Sequence, residues 1–157
     1  MNTIPETSET AYITGATALN IPTEDGDFSD WHFTETFLRG KARLRIAGQD
    51  SADTTEILGN YGIRECSNLL RRYGVNIPEE KKVYSADFVR ALLDLVYTNI
   101  LENRIPEHLQ VEDVLDNESQ QEIFFKKLQE LKTHVKNQVQ LNLMNQWETK
   151  QLNLIHQ

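Results

Sequence analysis

The most regular hydrophobic pattern lies after Ser85. Phe88, Leu92, Leu95, Val96, Ile100 and Leu101 recur near a period of 3.6, and Ala91 and Leu93 widen the stripe. The spacing predicts a helix over 85–103, with Ser85 as N-cap and Pro106 as the stop. A stripe this wide belongs to a central helix covered on more than one side. A second helical pattern is carried by Ile63, Cys66, Leu69, Leu70 and Tyr73, with Gly74 placed as C-terminal cap. It predicts a helix over 63–73.

The last third opens with Ser119 and Glu122, which match the S-x-x-E capping box. Ile123, Phe124, Leu128, Leu131 and Val135 mark one face. Val139, Leu143 and Trp147 continue it in steps of four, beside Leu141, Met144 and Leu152. No Gly or Pro interrupts residues 107–157, so the pattern allows one long helix over 119–150 or two kinked ones. A strict four-residue step drifts around a helix of 3.6 residues per turn. Such a stripe, ending in Trp147, either folds back on its own domain or offers an apolar face to a partner or a second copy.

The N-terminal half is less periodic. Residues 1–10 are polar and read as a disordered tail. "AYITGATALNIP" (11–22) suits a strand pairing with a later one, or a short buried helix capped by Thr14, and Pro22 stops either. In "KARLRIAG" (41–48), Ala42, Leu44 and Ile46 alternate with Arg43 and Arg45, which predicts a strand bracketed by Gly40 and Gly48. The expected fold is therefore α+β and mostly α-helical. A small N-terminal unit holds one or two short strands, followed by three or more helices, the last long and amphipathic. One domain is expected over 1–157: a tail at 1–10, a core at 11–106 and a C-terminal helical segment at 107–157.

Charge narrows the function classes. The formal net charge is −8, from 24 acidic and 16 basic side chains. A general nucleic-acid binder needs a basic surface. Arg39, Lys41, Arg43 and Arg45 form one basic run, and Arg64, Arg71 and Arg72 another, but both fit solvated faces. Nucleic acid therefore ranks last among partners. The lone Cys66 excludes an internal disulfide, suits a cytoplasmic protein and reads as a small core residue. No apolar run reaches the roughly 18 residues of a membrane span, and no signal peptide is visible at the N-terminus.

Candidate chemistry concentrates in "GDFSDWHF" (26–33). Asp27, Asp30 and His32 lie close enough in sequence for acid–base work, since imidazole titrates near neutrality and a carboxylate fixes its tautomer. The same trio offers ligands to a metal, but D-x-x-D-x-H is not a specific spacing, and one His with two Asp is incomplete for zinc. Asp30 also suits an N-cap, with Trp31 and Phe33 as core. Trp31 alternatively suits an interface anchor. No metal is called for. Neither a phosphate loop nor G-x-G-x-x-G, G-x-S-x-G, H-E-x-x-H or C-x-x-C occurs, so no cofactor is expected. Arg90 and Asp94 stand at i, i+4, the spacing of an ordinary surface pair. An inward Arg90 would need a carboxylate, with Asp27 and Asp30 as candidates.

Four elements occur in order: "ITGATALNIP" (13–22), "GDFSDWHF", "NYGI" (60–63) and "ADFVRALLDLVY" (86–97). Together they resemble a family of small bacterial proteins of defence-type operons, which carry TGA-x-ALNIP, DWH and G-[DN]-YGI elements and an Arg-Ala-Leu-Leu-Asp helix. The resemblance covers roughly residues 12–101 and is patchy between the elements. Such proteins are often encoded beside nucleotidyltransferase-like toxins of the abortive-infection type. The resemblance implies a non-enzymatic, antitoxin-like or accessory partner of such an enzyme. It singles out Gly15, Asn20, Asp30, Trp31, His32, Tyr61, Gly62, Arg90 and Asp94. Binding is thus expected at Asp30, Trp31, His32, Arg90 and Trp147. The alternative is a small metal-dependent or acid–base hydrolase using Asp27, Asp30 and His32.

Overall fold

In the computed structural model, which describes residues 4–41 and 43–157, the elements follow in chain order. They are α1 (Gly15–Ala18), a π turn (Thr34–Leu38), α2 (Thr55–Leu58), β1 (Ile63–Glu65), α3 (Ser67–Arg72), β2 (Tyr84–Ala86), α4 (Phe88–Leu101), α5 (Val111–Val114), α6 (Glu118–Lys132) and α7 (Gln138–Ile155). The class is α+β, mostly helical, with a long last helix.

Helix α4 is the centre, and α1, α5, α6, α7 and β2 pack around it. Its wide stripe is buried as the pattern demands. Leu92, Leu93, Val96 and Ile100 are fully enclosed, each burial contributing on the order of 1.5–3 kcal/mol. The cap is Asp87, whose carboxylate accepts from the Arg90 N–H at 2.9 Å. Ser85 does not cap, because β2 extends through Ala86 and holds Ser85 in the ladder. Asp87 is therefore the first residue free to turn into the helix.

The two strands are antiparallel, with Ile63 opposite Ala86, Arg64 opposite Ser85 and Glu65 opposite Tyr84. The expected helix over 63–73 thus loses its first turn to β1. Gly62 decides this: at φ +74 it reverses the chain and its carbonyl accepts from the Asp87 N–H at 2.7 Å. Ile13 joins the other side of β2, donating to the Tyr84 carbonyl and accepting from the Ala86 N–H. Both readings of "AYITGATALNIP" are therefore partly met, as a bridge at Ile13 followed by the short α1. The expected strand over 41–48 does not form. Only Ile46 and Ala47 make isolated bridges, and Ala42 lies outside the described residues.

The expected helix over 119–150 is two helices. Thr133 Oγ1 donates to the Glu130 carbonyl, and Asn137 Oδ1 accepts from the Gln140 N–H, so one helix is stopped and another started without Gly or Pro. Asn117, not Ser119, caps α6 through the Gln120 N–H. Of the expected tail over 1–10, residues 1–3 lie outside the described residues, and Ile4 and Thr7 are anchored. Ile4 is buried, its carbonyl accepts from Lys81 Nζ, and Thr7 Oγ1 accepts from the Tyr84 N–H. Cys66 is a core residue, its thiol pushed up to about 12 by burial. Among the described residues, no helix is long and apolar enough to cross a membrane.

Candidate functional site

Two polar constellations stand out, one buried and one exposed. The buried one surrounds Arg90 and Asp94, both fully enclosed on α4. Arg90 Nε lies 3.5 Å from Asp94 Oδ1. The partner of the inward Arg90 is thus its own i+4 neighbour, neither Asp27 nor Asp30, and the pair is not on the surface. Asp94 accepts from three hydroxyls: Tyr12 at 2.6 Å, Thr14 at 2.7 Å and Thr54 at 2.7 Å. Thr54 Oγ1 in turn accepts from Arg90 Nε at 3.2 Å and Nη2 at 3.1 Å, linking the two charges. Arg90 Nη1 donates to the carbonyls of Gly59 and Tyr61, and its guanidinium lies 5.2 Å from the Tyr12 ring centroid. Burial pushes the Asp94 carboxyl above its ordinary range, while the hydroxyl donors and Arg90 pull it back.

This network joins three of the four elements singled out above: the segment before α1, the Gly59–Gly62 turn and α4. Gly62 makes it possible. A Cβ there would stand 2.8 Å from both Arg90 Cβ and Asp87 Oδ1. Thr14, expected as a cap for α1, makes no such bond because its hydroxyl serves Asp94. Arg90 is therefore enclosed and does not meet a partner directly. Tyr12, Thr14 and Thr54 were not legible as a set, because they are brought together across 40 to 82 positions of sequence.

The fourth element is exposed. Trp31 is 83% exposed, Phe28 42% and Leu38 37%. Phe28, Phe33 and Tyr73 meet edge-on at 5.7 to 5.9 Å, and Phe33 stacks on Phe37 at 5.3 Å. The backbone is fixed on several sides. The Asp30 N–H donates to the Leu19 carbonyl at 3.1 Å, and the His32 N–H donates to Asn20 Oδ1 at 2.7 Å. The Trp31 N–H donates to Asp30 Oδ1 at 2.7 Å, and Ser29 Oγ donates to the Val114 carbonyl at 3.1 Å. Asn20, from the ALNIP element, is thus the residue that holds the DWH element in place. The His32 ring lies against the indole, with ring centroids 3.9 Å apart.

The expected trio is only partly assembled. His32 Nε2 is 3.8 Å from Asp30 Oδ1, too long for a hydrogen bond but close enough for a charge contact. Asp27 is exposed and bonds its own loop through Thr23. Among the described residues, no three His, Cys, Asp or Glu side chains converge as a metal-holding group. Asp30 is not a helix cap either, since its carboxylate accepts from the very next residue and the π turn begins at Thr34.

Trp147, the remaining expected contact residue, is 1% exposed. It meets Phe124 edge-on at 6.0 Å and donates from Nε1 to the Leu109 carbonyl at 3.1 Å. Its face of α7 is spent inside the chain and not on a partner. Most of the basic side chains in the two runs are also engaged. Arg39 and Lys41 pair with Glu35, Arg43 with Asp50 and Arg72 with Glu24. Arg64 and Arg71 hold backbone carbonyls. No protein-family profile, curated protein or solved structure matches the chain.

Proposed function

We propose that this chain is a protein-interaction module whose primary contact residue is Trp31, acting as an antitoxin-like or accessory partner of a bacterial defence enzyme. The observation that carries the contact residue is the exposure of Trp31 on a backbone held by hydrogen bonds. An exposed indole on a loose loop costs entropy to order on binding. Here the flanking backbone is already ordered, so its burial goes largely into affinity. Tryptophan is favoured at interface hot spots, where truncation typically costs about 2 kcal/mol or more. Phe28, in the aromatic cluster with Phe33 and Tyr73, and Leu38, on the same turn as Phe37, supply further exposed apolar surface. The class of partner rests on the resemblance carried by the TGATALNIP, DWH, NYGI and RALLD elements. The buried network supports the reading indirectly, because it spends Arg90 and Asp94 on fixing the scaffold and not on chemistry.

A pull-down and titration calorimetry against the protein encoded beside this gene test the proposal. Binding that Trp31→Ala weakens at least about 30-fold supports it. A monomer that captures no such neighbour contradicts it. The 3.8 Å approach of Asp30 to His32 favours a second reading, acid–base hydrolysis. Ester or phosphate cleavage by the wild type that His32→Ala abolishes would establish that reading instead.

A further inference from the structure

A second surface lies between α5, the start of α6 and the end of α7. It forms an open groove of about 780 Å³ whose floor includes the half-buried Phe125, Leu152 and Ile155. Deeper along the pair, α6 and α7 are clamped. Lys132 pairs with Glu148, and Gln129 Nε2 donates to Glu148 Oε2 at 2.6 Å. The groove opens beside this clamp, and Gln129 belongs to both. Its rim carries Glu112, Asp116, Glu118 and Glu122, all exposed, against Lys126 and His156. None of the four carboxylates has an ion-pair partner among the described residues.

Two of these have a local reason to be acidic. Glu112 and Glu118 stand in the first turns of α5 and α6, where a carboxylate meets the positive end of the helix dipole. Asp116 precedes α6 and Glu122 lies past its first turn, so neither is explained that way. The end of α7 adds the partial negative charge of its last carbonyls. An apolar floor inside an uncompensated acidic rim is complementary to a chain segment with apolar residues on one face and Lys or Arg beside them.

We infer that this groove docks a Lys/Arg-rich amphipathic helix of a partner protein. The surface stands independently of Trp31, and its test reads a different set of residues. The full chain is titrated with a fluorescein-labelled helical peptide of Leu and Lys, and with the matching Leu/Glu peptide, by fluorescence anisotropy at physiological salt. Asp116→Lys/Glu122→Lys removes the rim charge. Glu79→Lys/Glu80→Lys, on an exposed loop away from the groove, makes the same change in net charge. Ile155→Ser probes the floor, with thermal melting to verify folding of every variant.

The expected result is binding of the Leu/Lys peptide only, weakened about tenfold or more by the rim pair and clearly by Ile155→Ser, and little changed by the Glu79/Glu80 pair. Equal losses for the two charge pairs mean non-specific attraction and overturn the inference. So does failure of the wild type to bind the Leu/Lys peptide. Sedimentation of the wild type as a dimer that the rim pair dissociates overturns it in favour of a second copy of this chain.

Discussion

Replacing Asp94 by Asn is the sharpest perturbation of the scaffold. The side chain keeps its shape but loses its charge and one acceptor oxygen. Arg90 is then a buried cation facing Thr54, two backbone carbonyls and the Tyr12 ring, with no anion beside it. Three hydroxyls that now converge on a carboxylate must share one amide oxygen. Breaking one partner of a buried pair costs about 3–5 kcal/mol, and that figure already contains most of the hydrogen-bond loss. Taking about 4 kcal/mol, Tm falls by roughly 8–16 °C for a chain of this size. Urea unfolding followed by far-UV circular dichroism measures both.

The companion variant Thr54→Val keeps volume and deletes the hydroxyl that links the two charges, and is expected to cost about 2–3 kcal/mol. If both variants lose less than about 1 kcal/mol, the network does not hold the fold and the reasoning fails.

The pH dependence has a definite sign. The folded-state pKa of Asp94 is raised from its ordinary 3.8, chiefly by burial. The folded state therefore binds the proton more tightly than the unfolded chain. The contribution of Asp94 to stability is greatest below the unfolded pKa and declines as pH rises above about 4. Urea unfolding of the wild type between pH 4 and pH 7 measures that decline, and stability that rises over the range contradicts the assignment.

Gly62→Ala should destabilise by about 2 kcal/mol or more, because the new methyl meets Arg90 and Asp87 at 2.8 Å and φ is positive. Urea melting checks this, and a loss below about 0.5 kcal/mol would mean the turn shifts freely. In iodide quenching, Trp147→Phe leaves a red-shifted, readily quenched Trp31, whereas Trp31→Phe leaves a blue-shifted, protected Trp147. The reverse order would place the two indoles wrongly.

Much of this fold could be read from local pattern. The α4 stripe, the Gly74 turn and the burial of Cys66 follow from periodicity and residue type, which act over a few positions. The errors arose where a distant partner changed the outcome. Ser85 and Asp87 are equally good caps by type, and pairing with β1 selects the second. Thr14 suits a cap until Asp94 claims its hydroxyl. Residues 43–45 alternate well, but pairing with residues 12–14 reaches only Arg45 to Ala47, too short a ladder to make a strand. The break at 133–137 was legible in Asn137, a strong N-cap type, yet weaker than the Gly or Pro usually sought. Arg90 and Asp94 looked like a surface pair because i, i+4 spacing says nothing about which face of the helix is covered. In "GDFSDWHF" residue type alone left Trp31 open as core or anchor. Its exposure depends on how Leu19 and Asn20 hold the loop, which no short-range pattern encodes.

The central claim is that Trp31 is a preordered contact residue for a protein partner. Calorimetric titration of the chain with the protein encoded beside its gene tests it most directly, in wild type and Trp31→Ala. The account predicts saturable binding that the variant weakens by roughly 30-fold or more, with an unchanged Tm because the indole is almost wholly exposed. Equal affinity in both proteins, or a variant that loses binding only because it unfolds, would contradict it.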